Sequence, residues 1–307
     1  MDARLRRQSW FGLKRHAKRF LSLDVPNTVL RGAARFVPQL RSGRLPAPAW
    51  LTEVTGRVAG ETFVMLDPDR CENAKELFWG EGRRPKAHDR LALDTVAALA
   101  RHADVFLDIG AYTGLFTLAT TAAAPDLKAH AFEIVPAVVD TLVANVDRNG
   151  VSRRVAVHRE GVGEPGQTLR VPTGDGGSAL PSFYSSRMEF DDGEEVGFRS
   201  LDSIGALIPA GARVVMKIDV EGTEDAVFRY GRQLLATFRP DILCEVLPEA
   251  NGETLDELLS PAQLDRYLVT NARLEPRKEI EPDPDFRDWL FTARTTEELA
   301  DLGLPIG

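Results

Sequence analysis

LDIGAYTG, residues 107–114, is the stretch on which the fold turns. The apolar run VFLDIG ends at a glycine, and a helix-like segment, LFTLATTAAA (115–124), follows it and stops at Pro125. A strand that passes through a tight glycine turn into a helix is the opening half of a βα unit, and the pattern recurs downstream. KAHAFE (128–133) reads as a second strand. Its helix opens at Pro136 and closes at Gly150, with Val138, Leu142, Val143 and Val146 at helical spacing. RVAVH (154–158), VVMKID (214–219) and DILCEV (241–246) read as the third, fourth and fifth strands, and Thr223 opens the helix after the fourth.

Upstream, residues 53–66 have the pattern of a hairpin, and 87–102 carry Leu91, Val96, Leu99 and Ala100 at helical spacing. Strands alternating with helices of about ten to fifteen residues predict an α/β fold. The sheet is expected to be Rossmann-like and doubly wound, mostly parallel, with helices on both faces. The tail differs: YLVTNARLEP (267–276) and DWLFTAR (288–294) are strand-like with only a turn-rich gap between them, which predicts an antiparallel pair at the sheet edge. Residues 173–197, rich in Gly, Ser and acids, read as a long loop or hairpin insertion, and long loops in compact domains are often functional.

Of the 307 residues, 43% are hydrophobic and 27% charged, the balance of a water-exposed globular domain. No apolar run approaches the roughly 18 residues of a membrane span, and the basic N-terminus lacks the apolar core of a secretory signal. Cys71 and Cys244 stand far apart in sequence, which favours a reduced, cytoplasmic setting over a disulfide scaffold. Two cysteines and five scattered histidines give no zinc spacing.

The net charge of −8 conceals an asymmetry. Residues 1–45 hold eleven Lys and Arg against two acids, and the remainder holds 27 bases against 44 acids. The acidic body argues against nucleic acid as a partner. The basic arm could instead make peripheral contact with an anionic membrane, or dock on the body as a helix with Trp10, Leu13, Ala17, Phe20 and Leu21 on one face. The expected division is a basic helical arm and linker over 1–50, with RSGRLPAP (41–48) as the linker, and a catalytic domain over 51–307 whose core spans about 90–295.

The turn itself discriminates among cofactors. A dinucleotide fingerprint needs glycines at the first, third and sixth positions, and from Gly110 those places hold Gly110, Tyr112 and Leu115. A tyrosine in the middle would obstruct a pyrophosphate. No Gly-Lys-Ser/Thr follows either, so the phosphate loop is absent. An adenosine ligand without phosphate does fit. Gly110 admits a close approach, Asp108 offers a carboxylate to an amine, and Glu133, ending the next strand, can take both ribose hydroxyls. S-adenosylmethionine has the amine and the ribose, and no phosphate.

KIDVEG (217–222) is the second informative stretch. Alternation along a strand puts Lys217, Asp219 and Glu221 on one face and Met216, Ile218 and Val220 on the other. Three charges on a covered strand are costly unless they are paired or stand at an open mouth. Asp219, or Glu221 after it, is the candidate general base for a substrate hydroxyl, with Lys217 orienting the carboxylates. Alternatively Asp219 and Glu221 hold a divalent cation that acidifies the hydroxyl.

The chain resembles the FkbM-type methyltransferases, a branch of the class I S-adenosylmethionine-dependent fold. The resemblance rests on FWGEG (78–82), LDIGAYTG (107–114), AFE (131–133), GGSAL (176–180), SLDSI (200–204), KIDVEGTE (217–224), RPDILCEV (239–246) and DWLF (288–291), in that order over about residues 60–295. It implies a seven-stranded sheet with an antiparallel last strand. It implies that Asp108, Gly110 and Gly114 lie beside the methionine part of the cofactor and that Glu133 binds the ribose; for Tyr112 two roles stand open, a contact of its ring face with the sulfonium or simple space-filling. It also implies methyl transfer, usually to oxygen, on small-molecule or glycan acceptors such as sugars and polyketides. The chain departs from the family in having Tyr112 where Asn is common, and Ile134 where Pro often follows the ribose acid. The loop GGSALPSFYSSRM (176–188), with Phe183 and Tyr184, is the candidate acceptor-facing segment.

Overall fold

The computed structural model describes residues 21–34, 45–171 and 193–307. The acceptor-facing loop, GGSAL and the face of the arm from Trp10 to Phe20 lie outside the described residues. A hairpin, β1 (Glu53–Val58) and β2 (Glu61–Leu66), comes first, as the sequence predicts. Its turn places Ala59 and Gly60 at φ 50° and 87°, the left-handed pair of a tight two-residue connection. The remaining strands are β3 (Val105–Ile109), β4 (Lys128–Phe132), β5 (Val155–His158), β6 (Gly161–Val162), β7 (Thr168–Val171) and β8 (Glu194–Arg199). They are followed by β9 (Val214–Ile218), β10 (Asp241–Glu245), β11 (Asp265–Val269), β12 (Leu274–Arg277) and β13 (Asp288–Thr292).

Eight of these form the main sheet, in the order β12-β11-β13-β10-β9-β3-β4-β5. From β5 to β10 all neighbours are parallel, and β13 runs antiparallel beside β10. The five buried residues of β3 and of β9 reflect their place in the middle, covered on both sides. Odd and even positions then serve two cores. Phe106, Ala129, Val215 and Leu243 pack with the helices Ala87–Ala100 and Leu115–Ala123. Val105, Leu107, Met216, Ile242 and Trp289 pack on the other face with Phe228, Leu235 and Leu255 from the later helices.

The sheet has eight strands, not seven. YLVTNARLEP is not one strand but two, β11 and β12, joined where the Thr270 amide and hydroxyl both donate to the Arg273 carbonyl. β11 pairs antiparallel with β13, as the tail predicts, but β13 lies inside the sheet and β12 is the edge. The acid-rich segment after residue 172 is flanked by an antiparallel pair, β7 and β8, and β6 adds to β8 to make a three-stranded sheet apart from the hairpin and the main sheet.

Two asparagines on the helix Pro136–Arg148 and at its end hold the N-terminal hairpin against the glycine turn. Asn145 accepts from the Leu66 amide and donates to the Thr113 carbonyl, both at 2.8 Å. Asn149 accepts from the Val64 amide at 2.8 Å and donates to its carbonyl at 2.7 Å. Residues 21–34 and 45–51 rest on the helix Glu72–Trp79: Ala47 is buried with Phe78 and Trp79, and the Trp79 indole donates to the Leu45 carbonyl at 3.0 Å.

Candidate active site

A cavity of about 490 Å³ opens at the carboxyl ends of β3, β4, β9 and β10. Strand order reverses between β3 and β9, because β3 leads to β4 on one side while β9 comes from the far end of the chain. Such a crevice is where an open α/β sheet takes its ligands. Asp108, Gly110, Tyr112, Glu133, Lys217, Asp219 and Glu221 all line it.

Gly110 has φ 77°, and a Cβ there would stand 1.8 Å from the Asp219 carbonyl oxygen. The glycine therefore lets β3 and the chain leaving β9 close on each other, with the Asp219 amide donating to the Ile109 carbonyl at 2.9 Å. Gly114, φ 90°, begins the helix Leu115–Ala123, and a Cβ on it would meet Leu142 at 2.5 Å. Gly114 is not among the residues lining the cavity.

Asp108 is 1% exposed. One of its carboxylate oxygens accepts from the Thr117 amide at 3.0 Å and the Thr117 hydroxyl at 2.6 Å. Burial pushes its carboxyl up to about 6, against those two bonds and the positive charge of Lys217 on the neighbouring strand. Glu133 is also buried. Its Oε2 accepts from the Tyr112 amide at 2.9 Å, and its Oε1 from the Ile134 and Val135 amides at 2.8 and 2.9 Å. Burial raises it as well, outweighing those three donors.

The backbone at Tyr112 accounts for Asn being common at this place, not for the tyrosine. Its φ is 48°, in the left-handed region where Asn is several-fold enriched. The strained turn points the Tyr112 amide at Glu133 and so links the first two strand ends.

The charged strand is only partly as alternation predicts. Lys217 lies on the Asp108 face, but β9 ends at Ile218. Glu221 then adopts φ 53° and Gly222 φ 95°, so a turn, not strand alternation, aims Glu221. The carboxylates nevertheless converge. Asp219, Glu221 and Glu245, the last residue of β10, each present an oxygen within 4.8 Å of the others. The Lys217 ammonium, 2% exposed, lies 3.4 Å from Asp219 and 3.6 Å from Asp288. It also donates to the Ile218 carbonyl at 3.2 Å. Burial would lower the lysine, but the carboxylates of Asp219, Asp288 and Glu245 raise it, so it stays charged.

Burial alone would raise Asp219. The Lys217 charge and a hydrogen bond from Glu245 hold it below the usual carboxylate range. Burial and the Asp219 charge push Glu245 up to about 9, so near neutral pH it holds a proton and donates it toward Asp219. Glu221, exposed at the mouth, is raised by desolvation and by the charges of Asp219 and Glu224. The trio offers oxygen ligands of the kind a divalent cation takes, and a cation there would displace the proton on Glu245.

Four residues of this site escaped the sequence reading: Glu245, Asp288, Arg84 and Glu160. Glu245 ends a strand at the same edge as Glu133, so the rule that singles out Glu133 also reaches it. Asp288 carries no such signal, because its β13 runs the other way and brings its first residue opposite Glu245 and within reach of Lys217. Arg84 pairs with Glu76 at 2.9 Å and Asp89 at 3.4 Å, and Glu160 with Arg199 at 3.0 Å, forming two walls of the cavity.

The Methyltransferase FkbM domain profile matches residues 108–294, from the acid of the glycine turn to the end of β13. The chain belongs to the FkbM methyltransferase family. Among solved structures similar to this member of the family is the FkbM methyltransferase of Methylobacillus flagellatus KT, at 18% identity and a TM-score of 0.42. That match covers 62% of this chain and 43% of that one. A SAM-dependent methyltransferase of Agrobacterium tumefaciens gives 10% identity and a TM-score of 0.44, over 81% of this chain and 72% of that one. An O-methyltransferase of Bacillus cereus, in complex with SAH, gives 11% and 0.39, over 66% and 78%. No curated protein matches the chain.

The residues of this FkbM cavity fit the cofactor that the sequence resemblance implies. Asp108 and Glu133 are buried carboxylates at two adjacent strand ends, and the positive charge acting on Asp108 is that of Lys217 on the strand beside β3. Among the described residues, the two cations lining the cavity, Arg84 and Lys217, are both already paired with acids. The space is thus suited to a cationic ligand with hydroxyls, not to a phosphate.

Proposed function

We propose that the protein is an S-adenosylmethionine-dependent methyltransferase that methylates a hydroxyl of a sugar, glycan or polyketide-type acceptor. One observation carries the reading: the carboxylates suited to the methyl donor, Asp108 and Glu133, and the charged cluster suited to an acceptor hydroxyl, Lys217, Asp219 and Glu221, line one cavity. Bound there, S-adenosylmethionine would supply an activated methyl group on a sulfonium, already a good leaving group.

The chain's own residues then have three tasks. Asp108 and Glu133 hold the donor's amine and ribose, with Thr117 fixing the first carboxylate and the amides of Tyr112, Ile134 and Val135 the second. Lys217 keeps Asp219 ionised and oriented from a buried position. Asp219 accepts the hydroxyl proton as the oxygen attacks. Its lowered pKa keeps it available as an acceptor at the cost of driving force, and Glu221, with its raised pKa, is the second choice. Positioning supplies most of the acceleration in such a displacement, and a general base adds roughly a hundred- to ten-thousand-fold. A divalent cation held by Asp219, Glu221 and Glu245 is the alternative way to acidify the hydroxyl.

Both cysteines are free and buried, which suits a reducing compartment such as the cytoplasm. Among the described residues no helix is long and apolar enough to cross a membrane. The test is transfer of a labelled methyl group from S-adenosylmethionine to a panel of hydroxylated sugars and macrolactones, with and without magnesium. Asp219→Asn should bind S-adenosylhomocysteine like the unmodified chain and lose turnover. Equal turnover in that variant removes Asp219 as the base, and magnesium-dependent turnover moves the mechanism to the cation. Donor binding with no transfer to any acceptor would leave a cofactor-binding protein without this activity.

A further inference from the structure

Of the six large hydrophobic side chains exposed among the described residues, four lie in one small region: Leu23, Val25, Val29 and Trp50, at 55%, 75%, 68% and 62%. The helix Asp24–Ala34 explains the arrangement. Asn27 and Leu30, one turn apart, face the body. The Asn27 amide donates to the Leu21 and Pro46 carbonyls, both at 3.0 Å, and Leu30 packs on the cluster of Ala47, Phe78 and Trp79. Val25 and Val29, four residues apart, therefore share the opposite, outward face. The Ala49 amide donates to the Ser22 carbonyl at 3.2 Å, which sets the turn bearing Trp50 beside the start of this helix and Leu23. Thr28 is exposed as well, so the outward side of the helix combines two valines with one hydroxyl residue.

The charge of the surrounding sequence is opposite to that of the rest of the chain. Residues 1–45 carry eleven bases and two acids, and the remainder is acidic. The occupant has to meet both these bases and the apolar ridge. An anionic lipid surface takes both, because apolar side chains and an indole enter the headgroup boundary while Lys and Arg meet the lipid phosphates. We propose that the outward face of the helix Asp24–Ala34, with Leu23 and Trp50, is a docking surface for an anionic lipid bilayer and holds the enzyme at a membrane while the cavity stays in water. This inference is independent of the catalytic reading, since it involves no residue of the cavity.

The experiment is co-sedimentation of the full chain with sucrose-loaded vesicles of phosphatidylcholine alone or with about one third phosphatidylserine, at low and high salt. The expected result is binding to the anionic vesicles at least roughly tenfold stronger than to the neutral ones, and weakened by salt. Val25→Ser together with Val29→Ser leaves the charge unchanged and should lower that binding by about tenfold, with S-adenosylhomocysteine affinity unaltered. Tryptophan emission should shift to the blue on vesicles, and the shift should be smaller in Trp50→Phe, which leaves the other three tryptophans in place. Equal binding to both vesicle types, no binding, or serine variants that bind like the parent would each overturn the proposal. So would self-association of the parent that the serine variants abolish, which would make the ridge a contact between two copies of this chain.

Discussion

Replacing Lys217 by Met removes one charge from the centre of the cavity and keeps the volume and an apolar stem. Its ammonium is 2% exposed, at 3.4 Å from Asp219 and 3.6 Å from Asp288. At an effective dielectric constant of about 20, each of these pairs is worth roughly 5 kcal/mol before desolvation. Most of that only offsets the cost of bringing the charges out of water. Removing one partner of a buried pair leaves the rest uncompensated, and the net loss is about 3–5 kcal/mol, a large part of the roughly 5–15 kcal/mol that holds a domain folded.

The pH dependence separates this account from a packing defect. In the parent chain Asp219 titrates below its ordinary value because of Lys217. Its contribution is present above the unfolded carboxylate's pKa and is lost as pH falls through the lower folded value. Without the ammonium, burial and the remaining acids would raise Asp219 and raise Asp288 further. The variant then pays for ionising them at pH 7.5 and is relieved as pH falls toward 5. Denaturant titrations of both proteins at the two pH values measure the difference. A loss below about 1 kcal/mol at pH 7.5, or a loss of equal size at pH 5, would refute the reasoning.

Three further substitutions test the scaffold around the cavity. Gly110→Ala puts a Cβ 1.8 Å from the Asp219 carbonyl at a φ of 77°, and should cost roughly 3 kcal/mol or more in chemical denaturation, since backbone must move. Asp108→Asn should have the opposite effect on stability: its folded pKa of about 6 lies above the unfolded value, so ionising it costs stability as pH rises through that window. The variant should therefore gain up to roughly 3 kcal/mol at pH 8, gain nothing at pH 4, and bind the methyl donor more weakly. Asn145→Ala leaves the Leu66 amide and the Thr113 carbonyl without their partner, and should cost about 2–4 kcal/mol, read as a lowered denaturant midpoint.

The parts of the fold legible in the sequence are those set by local pattern. The strand–glycine–helix unit at 105–123, the Pro136 and Gly150 boundaries and the hairpin at 53–66 all follow from residue periodicity and turn chemistry, and the structure has them. What depends on contacts between distant residues was not legible. Nothing local shows that YLVTNARLEP folds back on itself at Thr270, or that Asn145 and Asn149 reach a hairpin some 80 residues earlier. The site divides the same way. Asp108, Glu133 and Lys217 sit at strand ends or on a strand face, where period and order place them. Glu221 is aimed by a left-handed turn, and Asp288 arrives on an antiparallel strand, so alternation predicts the first for the wrong reason and misses the second. Gly114 also has a packing reason that spacing alone does not show, since a Cβ on it would meet Leu142.

The central claim is that the cavity between β3 and β4 holds the methyl donor, and calorimetric titration with S-adenosylhomocysteine tests it most directly. The account predicts one site per chain, no binding of NAD or NADP, and a loss of at least about tenfold in affinity in Glu133→Gln, whose amide keeps the side chain's size but cannot accept from the ribose as a carboxylate does. A folded protein that binds no S-adenosylhomocysteine, or a Glu133→Gln variant that binds it as well as the parent, would contradict it.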